Sequence, residues 1–114
     1  ESQVHENYKD MIIKARDIDS RVTGRSTGHP VRALRNQMTK EYLKKEQEGA
    51  PFEELELLTL GGLRRAVVDG DVKTGSVMAG QIAGMVKEKM SCHDLIQKLV
   101  KETDDLIGGK GFYE

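Results

Sequence analysis

Apolar residues recur at helical spacing in the first fifteen positions of the chain. These positions are Val4, Tyr8, Met11, Ile12 and Ala15. They fall on one face of an α-helix, so the pattern predicts an amphipathic opening helix of about four turns. Ile18 and Val22 lie in the charged stretch that follows, and they favour a short extended piece.

A loop and two longer helices are predicted for the middle of the chain. Two glycines and a proline between Gly24 and Pro30 are typical of a loop, and Pro30 suits the first position of a helix. That helix is predicted to run to about Gly49, with an apolar stripe at Val31, Leu34, Met38 and Tyr42. A third helix is predicted to follow Pro51, and the pair Gly61-Gly62 in its middle indicates a kink or a close approach by another backbone.

The stretch from Gly75 to Val86, GSVMAGQIAGMV, is predicted to form a helix rich in small residues. At four-residue spacing its small residues form two adjacent ridges: Ser76, Gly80 and Gly84, and Gly75, Ala79 and Ala83. Such a strip lets another backbone or a flat ligand approach closely, so tight helix packing and a pocket wall both stay open. Gln81, an amide among apolar neighbours, gives some support to the pocket. The stretch matches neither the P-loop nor the G-x-G-x-x-G pattern.

A last helix is predicted to begin at Ser91. Asp94 stands three residues further on, in an arrangement similar to a capping box. The apolar positions of this helix are Leu95, Ile96, Leu99, Val100 and Leu106. Gly108-Gly109 would end it. With at least four helices and little strand signal, the chain as present is predicted to be mainly α.

Composition limits the classes of function. The chain has 114 residues, enough for one small domain with a modest core. Its net charge of −1 gives no general attraction to nucleic acid or anionic membrane, and the aromatic content of 4% leaves few base-stacking platforms. No apolar run approaches the length of a membrane span. A single cysteine fits a reducing compartment, so a cytoplasmic location is expected.

One cluster of candidate chemistry remains. Arg25, His29 and Arg32 surround the predicted helix start at Pro30, where an anion such as a phosphate could bind; a capped helix with exposed basic side chains is the alternative. The histidines lack the spacing of a metal site with one another or with Cys92, so no metal is predicted. Cys92 is expected to be a small, partly buried packing residue.

Three segments give the chain a family resemblance: NYKDMIIKARDID, GHPVRALRNQMTKEY and AVVDGDVKTGSVMAGQIAGMV. In this order they resemble the flavin-dependent enoyl-acyl-carrier-protein reductase II family, which is closely related to nitronate monooxygenase, formerly 2-nitropropane dioxygenase. The resemblance extends to about Leu106. It implies the C-terminal fragment of an α/β FMN-binding TIM-type barrel with an added helical substrate domain. Residues 1–24 would be a late barrel helix and a short extended segment, 25–70 the substrate-domain segment, and 71–114 the helices that return to the barrel.

The resemblance also assigns site residues. Ser76, Met78, Ala79, Gly80 and Gln81 match the family segment that faces the flavin and the substrate pocket. A substrate-side or structural role is implied for the matching residues of the substrate domain, namely Gly28, His29, Arg32 and Asn36. The family's phosphate-holding loop and its catalytic histidine would lie upstream of Glu1, so no catalytic residue is assigned in this chain.

The function implied for the intact parent is reduction of enoyl thioesters by FMN, with NAD(P)H as reductant, in fatty acid synthesis. The 114-residue chain alone is expected to be inactive. The implied partners are the remainder of the barrel, an acyl-carrier-protein thioester and a second copy in a homodimer. Two alternatives stay open: a nitronate monooxygenase, and a non-catalytic helical fragment that acts as an interaction module.

Overall fold

The opening helix is shorter than its apolar pattern predicts. The computed structural model describes residues 1–108, and its first helix, α1, spans Glu6–Lys14. The helix begins after His5, whose ring nitrogen Nδ1 accepts a hydrogen bond of 3.0 Å from the backbone N–H of Asn7. Tyr8 is the buried residue of α1. With nine residues the helix has about two and a half turns, because residues 1–5 are not helical.

A β-hairpin takes the place of the predicted helix start at Pro30. Strand β1, Ser20–Thr23, pairs antiparallel with strand β2, Val31–Leu34, and Ser20 lies opposite Leu34. Gly24 and Gly28 have φ values of +82° and +77°, which let the chain turn back between the strands. The extended piece expected near Val22 is therefore confirmed. The helix expected from Pro30 is wrong for its first seven positions, because a short apolar run does not distinguish a strand from a helix.

Helices α2 and α3 pack against each other through apolar side chains. Helix α2 spans Gln37–Gln47 and α3 spans Phe52–Thr59. Buried Met38 and Tyr42 of α2 meet buried Leu55 of α3. The Lys45 ammonium lies 2.8 Å from a Glu54 carboxylate oxygen at the edge of this contact. The two helices form one small core beside the hairpin.

The long third helix predicted after Pro51 is broken in two. The chain passes through Gly61, which has a φ of +69°, before α4, Gly62–Arg64. Helix α4 continues into a single π turn at Arg65–Asp69. The glycine pair Gly61-Gly62 predicts a kink or a close approach by another backbone, and both occur. A Cβ placed on Gly62 would lie 2.7 Å from Oγ of Ser76.

The small-residue stretch after Gly75 is not an α-helix. The two predicted ridges of small residues, which require a helix, therefore do not form. It begins with extended residues, among which Met78 forms an isolated antiparallel bridge with Ala33. A 3-10 turn then covers Gln81–Met85. The extended conformation is more stable than a helix here, because its backbone N–H and C=O groups pair with neighbouring segments, whereas several glycines would destabilise a helix. Val77 of this segment is fully buried in the main core.

The last helix begins where the sequence predicts. Helix α5 spans Cys92–Leu106, and Oγ of Ser91 accepts a hydrogen bond of 3.1 Å from the backbone N–H of Asp94. The helix buries no residue, and Cys92 is exposed, contrary to the expected partial burial. The Cα radius of gyration is 17.7 Å, whereas a compact domain of about this size has about 13 Å. Gly109, the second of the predicted stop glycines, lies outside the described residues.

The main core lies between α1, β2 and the segment around Val77. Its buried members are Tyr8, Ala15, Leu34, Ala66, Val77 and Ala83. Within residues 1–108, no helix is both long and apolar enough to cross a membrane. Within the described residues the fold is mainly helical, with one β-hairpin between α1 and α2 in the chain.

Candidate functional site

A cavity of about 330 Å³ lies between the hairpin, α2, α3 and the extended segment at 76–78. We call it the hairpin pocket. Its lining residues are Thr23, Thr27, His29, Val31, Ala33, Met38, Tyr42, Phe52, Glu56, Thr59, Leu63, Ser76 and Met78. Seven of these thirteen residues are apolar or aromatic, and the other six are polar. This composition is typical of a small-molecule site.

The Ser76–Met78 wall of the pocket is held by backbone hydrogen bonds on two sides. The N–H of Ser76 donates to the carbonyl of Gly62 at 2.9 Å, and the N–H of Leu34 donates to the carbonyl of Val77 at 2.8 Å. Successive side chains of an extended segment point to opposite faces. Val77 therefore enters the core, while Ser76 and Met78 line the pocket.

A side chain of α1 also bonds to this wall. The hydroxyl of Tyr8 donates a hydrogen bond of 2.7 Å to the carbonyl of Met78. Burial raises the pKa of Tyr8, and the hydrogen bond to Met78 opposes that rise. The phenol therefore stays protonated, as a donor, throughout the neutral range.

The other predicted flavin-side residues lie beyond the pocket lining. The N–H of Ala79 donates to the carbonyl of Arg32 at 3.4 Å, a long bond. Gly80 is extended, and a Cβ placed on it would meet no atom within 4 Å. Gln81 is exposed at the start of the 3-10 turn. The close approach expected at Gly80 is therefore not made by this chain's own backbone.

Close backbone approach occurs at two other small residues of the stretch. A Cβ on Gly75 would lie 2.8 Å from the backbone nitrogen of Ala66, and one on Gly84 would lie 2.5 Å from that of Asp17. Both are contacts with other parts of the fold. They explain part of the small-residue composition without any ligand.

Two predicted substrate-side residues lie on opposite faces of the hairpin region. His29 is exposed and lines the pocket just before β2. Arg32 lies in β2 between two pocket-lining residues, so its side chain leaves on the other face, where it donates to Oγ of Ser20 at 2.9 Å. No helix begins at Pro30, so the helix start that the anion site and its alternative, a capped helix, both require is absent.

Asn36, another of the predicted substrate-side residues, is buried and acts as a helix cap. Its Oδ1 accepts from the N–H of Thr39 at 2.9 Å, which fixes the start of α2. Its Nδ2 donates to the carbonyls of Val72 at 2.9 Å and Gly75 at 2.8 Å. Asn36 therefore positions the entrance to the Ser76–Met78 wall and does not line the pocket.

Most residues of the pocket wall opposite Ser76–Met78, which we call the far wall, were not predicted from the sequence to line a pocket. It consists of Met38 and Tyr42 on α2, Phe52, Glu56 and Thr59 on α3, and Leu63 on α4. The available signal was a spacing of four residues on α2 and of four and three residues on α3, but these spacings also fit an ordinary helix contact. Burial raises the pKa of Tyr42, the charge of Glu46 adds to the rise, and a hydrogen bond with Thr27 opposes it.

Residues 1–102 match the family model described as "Nitronate monooxygenase". The chain therefore belongs to the nitronate monooxygenase family. No curated protein matches the chain significantly.

Solved structures extend this assignment. FabK from Thermotoga maritima matches with a TM-score of 0.85 and 38% identity, over 91% of this chain and 33% of that one. A single-residue variant of FabK from the same organism matches with a TM-score of 0.75 and 35% identity, over 93% of this chain and 31% of the variant. The chain thus spans about a third of the FabK chains that it matches. The predicted fold class is confirmed: a helix-rich part of a TIM-barrel enzyme.

Proposed function

We propose that this chain is part of an FMN-dependent oxidoreductase that reduces enoyl-acyl-carrier-protein thioesters with NAD(P)H in fatty acid synthesis. The observation that supports this most is the match to FabK, at 38% identity over 91% of the chain. The reductase II resemblance of the GSVMAGQIAGMV stretch points the same way. The domain roles of residues 1–24, 25–70 and 71–114 follow from that resemblance and belong to this proposal.

The flavin side of the site would be formed by Ser76, Met78, Ala79, Gly80 and Gln81. FMN, when bound, supplies the hydride chemistry, and the protein orients and shields it. The residues fit such a group: the space over Gly80 is open, and 43% of Met78 is exposed beside it. Gly80 would admit a flat ring, Met78 would exclude water from one side, and the exposed amide of Gln81 would supply a polar contact.

The substrate side would be the hairpin pocket. Its apolar lining suits an acyl chain, because transfer of methylene groups from water into such a pocket is favourable. His29, at the pocket wall, would offer a polar contact to the thioester end. Arg32 and Asn36 would act indirectly: the Arg32 carbonyl accepts from Ala79, and Asn36 binds the Gly75 carbonyl.

The proposed partners follow from what the chain leaves exposed. Helix α5 presents Leu95, Ile96, Leu99 and Val100, each between 44% and 56% exposed. An exposed apolar face of this size indicates a contact surface. We infer that the remainder of the barrel covers this face. An acyl-carrier-protein thioester as substrate, a homodimer and a cytoplasmic location complete the proposal.

Oxidation of nitronates is the second candidate function. The family model that matches residues 1–102 is described by that activity, and this observation favours it. The third candidate is a non-catalytic interaction module, which the exposed apolar face of α5 favours. All three predict that the 114-residue chain alone lacks turnover, so they must be separated in a longer protein.

A chimera tests the proposal. This chain replaces the matching third of Thermotoga maritima FabK, and the product is examined for flavin absorbance. It is then assayed with an enoyl thioester plus NADH or NADPH, and with a nitronate plus oxygen. We expect stoichiometric FMN and enoyl reduction. Turnover of the nitronate alone would establish the second candidate, and a folded chimera without flavin would leave the interaction module.

Two variants of the chimera test the flavin wall. Gly80→Leu fills the open space over the extended backbone, so FMN binding and turnover should fall. Gln47→Leu, at the exposed end of α2, adds a side chain of the same kind away from the pocket and should change neither. Equal FMN content in the two variants would remove Gly80 from the flavin side.

A further inference from the structure

Tyr8 is joined to the pocket wall by a hydrogen bond that spans 70 positions of the chain. Its hydroxyl lies 2.7 Å from the carbonyl oxygen of Met78. Tyr8 is 8% exposed, and its ring packs in the main core. The ring therefore has a packing role, while the hydroxyl has a separate one at the pocket.

The carbonyl of Met78 lies at the point where the short backbone hydrogen bonds of the extended wall end. Upstream, Ser76 and Val77 have short backbone bonds to Gly62 and Leu34. Downstream, the next bond to the hairpin is the long one from Ala79, at 3.4 Å, and no atom approaches the Cβ direction of Gly80. The Tyr8 hydroxyl is thus the shortest contact at the point where the segment leaves the hairpin.

Holding this carbonyl also restricts the direction in which the Met78 side chain leaves the backbone. A peptide unit is planar, so a held carbonyl sets the orientation of the whole unit between Met78 and Ala79. The side chain of Met78 lines the pocket and is 43% exposed, so few neighbours hold it from that side. Its direction is therefore set mainly through the backbone.

We propose that Tyr8 is a positioning residue, which holds the Met78 wall of the hairpin pocket in place through its hydroxyl. Helix α1 thereby contributes to a site that it does not line. The role concerns Met78 itself and is independent of which ligand the pocket takes.

The test uses the 114-residue chain with ¹³C-methyl methionine. Tyr8→Phe keeps the ring and removes the donor. We expect a shift of the Met78 methyl resonance, with Met85 and Met90 unchanged as references. Amide hydrogen exchange at Ala79 should become about 3- to 10-fold faster, the range that corresponds to one lost hydrogen bond.

Asn7→Ala is the matched control. Its side chain, also on α1, donates to the carbonyl of Gly70 at 3.0 Å, so the variant loses a bond of the same kind at a different place. The Met78 methyl and the Ala79 exchange rate should stay at the unmodified values. An equal change in both variants would show general loosening and would overturn the positioning role, as would no change in Tyr8→Phe.

A chain with 3-fluorotyrosine at position 8 tests rescue. It keeps the ring and the hydroxyl, so the Met78 methyl should move back towards the unmodified position by most of the Tyr8→Phe shift. A small displacement should remain, because the fluorinated hydroxyl is more acidic. If Tyr8→Phe fails to fold, the fluorinated chain still decides, because its more acidic hydroxyl should move the Met78 methyl while Met85 and Met90 stay unchanged. An unmoved Met78 methyl in that case would overturn the proposal.

Discussion

Helices α2 and α5 start in the same way and end in different environments. Each has a side-chain N-cap, Asn36 for α2 and Ser91 for α5. Helix α2 buries Met38, Thr39 and Tyr42, whereas α5 buries no residue although it is four residues longer. Local signals therefore set where a helix begins, and they say little about whether its apolar face finds a partner.

The caps themselves explain part of the contrast. Ser91 bonds only within the first turn of α5, so it stabilises a helix and nothing else. Asn36 also binds the carbonyls of Val72 and Gly75, so it joins a helix start to the entrance of the pocket wall. A cap that also reaches another segment makes the helix part of the tertiary fold.

A matched pair of leucines gives the largest expected difference. Leu34 is 1% exposed in β2, and Leu99 is 50% exposed on α5. We expect Leu34→Ala to lower the free energy of unfolding by about 2–5 kcal/mol, because it leaves a cavity in the core. Leu99→Ala should change it by less than about 0.5 kcal/mol. Urea unfolding followed by circular dichroism measures both. A large loss for Leu99→Ala would mean that α5 is packed in solution.

The two caps provide the second comparison. Asn36→Ala removes a cap and leaves two carbonyls without a donor, so we expect a loss of about 2–4 kcal/mol. Ser91→Ala should reduce the helicity of α5 by an amount that corresponds to about 0.5–1 kcal/mol. Amide exchange separates the two, because Asn36→Ala should expose the amide of Ser76 while Ser91→Ala should affect only α5. Equal losses would contradict a tertiary role for Asn36.

A pair of glycines distinguishes close approach from open space. Gly62→Ala places a Cβ 2.7 Å from Oγ of Ser76 and should cost about 1–3 kcal/mol. Adding Ser76→Ala removes that oxygen and should recover most of the loss. Gly80→Ala, which meets no neighbour, should stay within about 0.5 kcal/mol. The ordering would fail if Gly80→Ala proved the more damaging change in the ligand-free chain.

The smallest effect concerns the segment that joins the fold to α5. Hydrogen bonds from Lys89 and then Lys9 lower the pKa of Glu6 to about 2. The lowered value means that this ion pair is present above the ordinary glutamate pKa and is lost as the pH falls towards 2. Carboxyl NMR should show the Glu6 midpoint near 2 and a rise towards the ordinary value in Lys89→Gln. Lys101→Gln, on α5, should leave that midpoint unchanged.

The sequence predicted the helix starts that depend on local chemistry and missed the pairings that depend on distant residues. Ser91, with Asp94 three positions on, predicted the start of α5 correctly. The spacing of Val31, Leu34, Met38 and Tyr42 predicted one helix, but Val31 and Leu34 belong to β2. The same periodicity fits both arrangements, and only the strand 20–23 decided between them.

The candidate site shows the same division. Three residues for which the family resemblance implied a role, Ser76, Met78 and His29, line the pocket. The resemblance implied a substrate-side or structural role for Asn36, and in the structure Asn36 is a buried helix cap. The far wall from α2, α3 and α4 was missed, because its spacing also fits ordinary helix packing.

What the sequence determined by itself was local: a mainly helical chain, the caps and breaks of its helices, and a family resemblance in ordered motifs. The tertiary structure decided that residues 76–78 are extended, because Gly62, Leu34 and Tyr8 offer hydrogen bonds that a glycine-rich helix could not match in stability. It also decided which apolar faces are buried. Burial depends on where distant segments meet, and hydrophobic periodicity does not specify that meeting.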